Sequence, residues 1–140
     1  MVELTMRPDP LRPGFYILDG VQFLSPDPVQ WRGAVRSHVW RPPTDVFETD
    51  EAFFVRVEIA GMNEEGFFIQ LDGRSLTIRG VRTEPPERRA YHQMEIRFGE
   101  FSTEVALPHP VIADKAEATY SNGFLRMVLP KTLPQRIAED

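Results

Sequence analysis

His38, His92 and His109 are the side chains best suited to bind a metal or move a proton near neutral pH, and their placement suits neither task. They fall in a proline-rich arm, a short strand-like stretch and a proline turn, with no i, i+4 pair and no carboxylate at a ligand spacing. The sequence therefore predicts no metal site and no cofactor. It also lacks a glycine-rich phosphate loop, a G-x-S-x-G elbow and a serine placed beside a histidine. Carboxylates are plentiful, and Glu95 with Glu104 is a pair that glycosidase-type acid/base work would need. Acids at alternating strand positions, however, ordinarily form a solvated face. Catalysis has no visible carrier, a sandwich hydrolase or sugar binder has little to support it, and the chain is expected not to be an enzyme. Glu84, Glu87, Arg88 and Arg89 read as a solvated loop, or as cross-subunit ion pairs worth little each.

The totals narrow the partners. At 140 residues the chain is about one domain long and can bury one real core, to which ten phenylalanines bring large side chains. A net charge of -5 with no basic face argues against nucleic acid. Zero cysteines exclude disulfides, zinc fingers and thiol catalysis. The N-terminus is broken by prolines before any signal-like apolar run, and no later run approaches the ~18 residues of a membrane helix. A cytoplasmic protein with no membrane contact is the expectation.

Three regions must position whatever the chain does. Residues 1–43 form an N-terminal arm holding seven of the thirteen prolines, with charge +1 from five basic and four acidic residues. Two apolar islands lie in it: Phe15, Tyr16, Ile17, Leu18 with Val21, Phe23, Leu24, and then Val29, Trp31, Val35, Val39, Trp40. Asp27-Pro28 resembles an N-cap with a first-turn proline, predicting a short helix from Pro28 to about Val39. The aromatics either pack back on the domain or offer a sticky surface to a partner. The arm is expected to be partly helical or disordered.

Residues 44–131 alternate with period two, which predicts strands. Asp45–Thr49 and Ala52–Ala60 come first, the latter with Phe53, Val55, Val57 and Ile59 on one face. Phe67, Ile69 and Leu71 follow, then an Asp72-Gly73 turn into Leu76, Ile78 and Val81. Tyr91 to Arg97 is an isolated strand pattern flanked by loops, a candidate for pairing on another subunit. Phe101, Thr103, Val105 and Leu107 make another strand, and Ala116–Tyr120 and Leu125–Leu129 flank Asn122-Gly123, a type I′ hairpin signal. Pro130 stops the ladder, and residues 132–140 are a tail. The spacing is that of an all-β, antiparallel β-sandwich.

Five ordered blocks carry a resemblance to the small heat-shock proteins and their α-crystallin domain: P-x-x-D-V-F-E-T-D-E-A-F at the start, V-E-I-A-G-M at Val57–Met62, L-T-I-R-G at Leu76–Gly80, F-G-E-F-S-T-E-V-A-L-P at Phe98–Pro108, and A-x-x-x-N-G-F-L at Ala118–Leu125, closed by L-P-K. The resemblance implies an immunoglobulin-like sandwich and an ATP-independent holdase that captures partly unfolded proteins, with a co-chaperone or adaptor that binds one folded partner as the alternative. It implies a homodimer made by donating the strand Tyr91, His92, Gln93, Met94, Glu95 to the partner's sheet. Client contacts map onto Phe15, Tyr16, Ile17, Leu18, Phe23, Leu24, Trp31 and Trp40 of the arm. A groove between sheets maps onto Phe67, Ile69, Leu71 and onto Ala118 and Tyr120. Relatives end in an I-x-I tail that docks in a neighbour's groove, whereas Ile137-Ala138-Glu139 offers only Ile137. Losing one apolar knob forfeits about 1.5–3 kcal/mol per tail, which points to a dimer or small oligomer. Ile96 stands where the family often has an arginine.

Overall fold

The structure, a computed structural model, describes residues 2–8, 10–11, 15–19, 39–63, 66–134 and 136–137. Among the described residues nine strands run in chain order: β1 (Val2–Pro8), β2 (Phe15–Asp19), β3 (Thr44–Glu48), β4 (Ala52–Glu58), β5 (Phe67–Asp72), β6 (Ser75–Arg82), β7 (Gly99–Ala106), β8 (Glu117–Ser121) and β9 (Phe124–Pro130). A 3-10 turn at Ala113–Lys115 precedes β8. All strand pairings are antiparallel, and the spatial order is β3-β4-β9-β8-β1-β2-β5-β6-β7.

Period-two alternation builds the core. One layer, β3-β4-β9-β8, turns Phe53, Val55, Val57, Ala118, Leu125, Met127 and Leu129 inward. The other, β5-β6-β7, answers with Phe67, Ile69, Leu71, Leu76, Ile78, Phe101 and Val105, and these residues form one contiguous cluster. Each large side chain so buried contributes about 1.5–3 kcal/mol. Asn122 (φ 52°) and Gly123 (φ 81°) both occupy the left-handed region, the requirement of the two-residue turn that joins β8 to β9.

Three expectations change. Val81 does not share the inner face with Leu76 and Ile78; parity puts Gly80 there, and Val81 is 38% exposed. No strand forms over Tyr91–Arg97, because a lone strand in one chain has no ladder to satisfy its backbone groups. The arm carries two strands, β1 and β2, rather than only helix or coil; residues 28–38 of the expected helix lie outside the described residues, as do Phe23, Leu24 and Trp31, and Val39 is not helical.

Trp40 belongs to the sandwich. It makes a parallel bridge to Phe101, its N–H donating to the Glu100 carbonyl (3.1 Å) and its carbonyl accepting from Ser102 (2.9 Å), with the two rings 5.8 Å apart. As the chain crosses to β3 in the other layer, the buried Thr103 hydroxyl of β7 takes a hydrogen bond from Arg41 Nε (3.1 Å) and shares one with Thr44 Oγ1 (2.9 Å). At the far end Lys131 is buried rather than solvated in a tail: its ammonium meets Glu48 at 2.7 Å and lies 5.1 Å from the centre of the Phe53 ring.

Candidate functional site

The flank where the two layers could part is bounded by β5 and β8. Phe67, Ile69 and Leu71 on β5 and Ala118 on β8 are buried, and Tyr120 is half-buried, so the residues expected to line a groove point into the core. The Phe67 and Tyr120 rings meet across the layers with centroids 5.1 Å apart. The Tyr120 hydroxyl donates to the Ile59 carbonyl (2.7 Å) and accepts from the Met62 N–H (3.2 Å), fastening β8 to the connection that leads into β5. What this flank offers a ligand is therefore mainly backbone: the outward N–H and C=O groups of two strands, each of which must find a partner.

The N-terminal hairpin meets that demand. β1 lies along β8 with Val2, Glu3, Leu4 and Thr5 opposite Tyr120, Thr119, Ala118 and Glu117. β2 lies along β5 with Phe15 opposite Gln70 and Tyr16 opposite Ile69. β1 and β2 pair with each other from Thr5↔Asp19 to Pro8↔Tyr16. The groove that the sequence assigns to an incoming segment thus holds the chain's own β1 and β2. Ile137 is elsewhere, its N–H donating to Asp50 Oδ1 (2.8 Å) at the turn between β3 and β4.

The second surface is the connection from Thr83 to Phe98. Tyr91, Met94 and Ile96 are 47%, 61% and 66% exposed along it, a concentration of outward apolar side chains on one segment. Arg82, at the end of β6, holds its base: Nε donates to the Arg97 carbonyl (2.8 Å), Nη1 to the Ala60 carbonyl (3.2 Å), and the guanidinium lies 4.6 Å from the Trp40 ring centre and 5.4 Å from that of Phe98. Within the loop Arg89 pairs with Glu84 (3.3 Å) and Glu87 (3.6 Å), which makes these charges local partners in the single chain. His92, Gln93 and Glu95 are exposed beside them, and Gln93 donates to Glu95 (3.0 Å).

Residues 45–140 match the family model described as the Hsp20/alpha crystallin family. The chain belongs to the Hsp20/alpha crystallin family. Small heat shock protein C2 of Rickettsia felis is 35% identical over 92 residues, covering 64% of this chain and 60% of that protein. Heat shock protein 16 of Schizosaccharomyces pombe is 37% identical over 94 residues, covering 64% of this chain and 66% of that one. The chain thus matches about three-fifths of the length of these curated relatives. The solved structure of heat shock protein 16.0 from the same yeast aligns with a TM-score of 0.66 and 31% identity over 71% of this chain and 94% of that one.

Within this Hsp20-type sandwich the predicted residues separate into three places. Phe67, Ile69, Leu71, Ala118 and Tyr120 come together on the flank. Tyr91 to Glu95 stand apart on the loop, and Trp40 is packed against the core beside Phe101 instead of extending on the arm. Phe15, Tyr16, Ile17 and Leu18 are carried by β2. Glu95 is exposed on the loop and Glu104 on β7. Among the described residues no group of three or more His, Asp or Glu side chains is placed to hold a metal ion, and no helix is long and apolar enough to cross a membrane. Arg82 and Lys131 went unforeseen because their partners lie on distant segments; the local hint is a cation at a strand end.

Proposed function

We propose that this protein is an ATP-independent holdase, without cofactor or enzymatic activity, that binds partly unfolded proteins in the cytoplasm and prevents their aggregation. The observation that carries the reading is the flank between β5 and β8, which accepts a two-stranded segment containing the apolar run Phe15–Leu18 by backbone pairing. Backbone-mediated strand addition is tolerant of sequence, which suits capture of many different unfolded chains. The arm residues Phe15, Tyr16, Ile17, Leu18, Phe23, Leu24 and Trp31 are the client contacts. The building block is a homodimer in which Tyr91 to Glu95 add to the partner's sheet, extending to small oligomers through Ile137. The exposed Tyr91, Met94 and Ile96 support that assignment. Light scattering from a heated client tests the function: suppression without nucleotide near equimolar subunits is expected, and no suppression at any ratio refutes it.

One surface favours a second reading, an adaptor for a single folded partner. On the outer face of β3 and β4, Phe47 is half exposed and stacks on Phe54 at 5.1 Å, with Arg56 beside it, around a shallow concavity shared with Arg126 and Val128. A pull-down returning one folded protein stoichiometrically, in place of a mixture of unfolded ones, would select this reading.

A further inference from the structure

We infer that Arg82 is the positioning residue of the loop Thr83–Phe98, and that through the same guanidinium the loop is coupled to Trp40 at the root of the N-terminal arm. The inference rests on the reading above that this loop carries the dimer strand.

Arg82 and Gly99 are the last paired positions of β6 and β7, so the loop begins and ends at them. Gly99 has φ 92°, a left-handed conformation at the point where the chain enters β7. Past that pair the backbone ladder stops and the Arg82 side chain continues the attachment. Its Nε (2.8 Å) and Nη2 both donate to the Arg97 carbonyl, and Nη1 donates to the Ala60 carbonyl (3.2 Å) just beyond β4. The start of the loop is thereby tied to its own end, and both are tied to the turn after β4. All three donors meet neutral backbone oxygens, so the tie depends on where the planar fork points and not on pairing of charges. A lysine ammonium is a point charge on a flexible stem and does not reproduce that fork.

The guanidinium also meets two rings. It lies 4.6 Å from the Trp40 ring centre and 5.4 Å from that of Phe98, the last residue of the loop. Trp40 in turn is bridged to Phe101 of β7 through its backbone. Its indole N–H is buried with no acceptor among the described residues, so the ring is held by its contacts with Arg82 and Phe101 in place of a hydrogen bond. A buried donor without an acceptor costs free energy. Loss of the guanidinium therefore lets the ring turn its N–H to water. A loop that pairs with a partner bears on Arg97 and Phe98, and through Arg82 on Trp40. A loop that is not pinned must be ordered at the moment of pairing, which weakens the pairing.

Trp31 and Trp40 are the two tryptophans of the chain, so Trp31→Phe leaves Trp40 as the one indole and serves as the reference protein. Arg82→Lys and Arg82→Met are made in that background. Each protein is followed through a dilution series by light scattering coupled to gel filtration and by Trp40 emission, with melting temperature from circular dichroism. The expected result is a melting temperature close to the reference in both variants, because the exposed carbonyls of Ala60 and Arg97 can turn to water. The dimer dissociation constant rises about ten-fold or more in both, as the fraction of loops held ready for pairing falls. Trp40 emission shifts to the red in both variants. In the reference it shifts as dilution splits the dimer, and in the variants it no longer follows dilution. An Arg82→Lys protein with the dissociation constant of the reference overturns the positioning role of the fork. A melting temperature far below the reference in both variants makes Arg82 a prop of the sandwich and overturns the inference as well. A weakened dimer with Trp40 emission unmoved, by substitution or by dilution, overturns the coupling. A reference protein that is monomeric at every concentration removes the dimer reading itself, and the inference falls with it.

Discussion

Replacing Gly80 by alanine adds one methyl group at the most crowded point between β5, β6 and β7. The residue's backbone is ordinary strand, so the glycine is required by space and not by dihedral angle. A Cβ there would collide with the Gly66 carbonyl oxygen and stand 2.5 Å from Cζ and 2.8 Å from Cε2 of Phe101. The carbonyl belongs to the backbone that leads into β5, and Phe101 is fully buried, packed edge-on to Phe67 at 6.3 Å. Neither neighbour can yield without moving a strand. Overpacking of this kind costs about 1–3 kcal/mol, and two immovable contacts place it at the upper end; the lower unfolded-state entropy of alanine returns about 0.4–1 kcal/mol. A net loss of about 2–3 kcal/mol lowers the melting temperature by roughly 6–12 °C in a domain of this size. Thermal unfolding followed by circular dichroism, with urea titration as a second measure, reads it directly. The double variant Gly80→Ala with Phe101→Leu relieves the ring contact and is expected to lose less than the sum of the singles by about 1 kcal/mol. A Gly80→Ala protein within about 0.5 kcal/mol of the parent, or strict additivity with Phe101→Leu, would refute the steric account.

Further outcomes follow from single contacts. Lys131→Ala removes both the ion pair with Glu48 and the stem packed on Phe53, and is expected to cost about 2–3 kcal/mol in urea unfolding, with Lys131→Met recovering most of it because Glu48 can turn to water. Tyr120→Phe leaves the Ile59 carbonyl and the Met62 N–H without their hydroxyl partner, a loss of about 1–2 kcal/mol in the same assay. Met94→Asp with Ile96→Asp places charges on the exposed loop, and light scattering coupled to gel filtration should show the proposed dimer converted to monomer with melting temperature preserved; an unchanged dimer mass removes the loop from the proposed interface.

Local chemistry made much of the sandwich legible. The turn at Asn122-Gly123 declared itself because two successive left-handed residues leave few alternatives, and the inward faces of β4, β5, β7 and β9 followed from alternation alone. The misplacement of Val81 came from following hydrophobicity where parity governs; Gly80 is inward although it has no side chain to announce the fact. Pairing between distant segments left no local trace. Val2–Arg7 does alternate apolar and polar side chains over six residues, a strand signal overshadowed by the prolines around it, and Phe15–Leu18 is a continuous apolar run with no period; nothing in either names β8 or β5 as its neighbour. The burial of Lys131 likewise depends on Glu48 being brought beside it by the register of β3, β4 and β9.

The placement of β1 against β8 also sets an order of events in time. Val2 pairs with Tyr120, so its partner lies 118 residues downstream (120 minus 2), while Phe15 waits for Gln70, 55 residues on (70 minus 15). Synthesis from the N-terminus delivers β1 and β2 before β5 and well before β8. Long-range closures of this kind form late in folding, after nearby strands have paired. The nascent protein therefore carries Val2–Thr5 without its β8 partner until Glu117–Ser121 has emerged. On the ribosome, every copy carries β1 unpaired with β8 before that pairing can form.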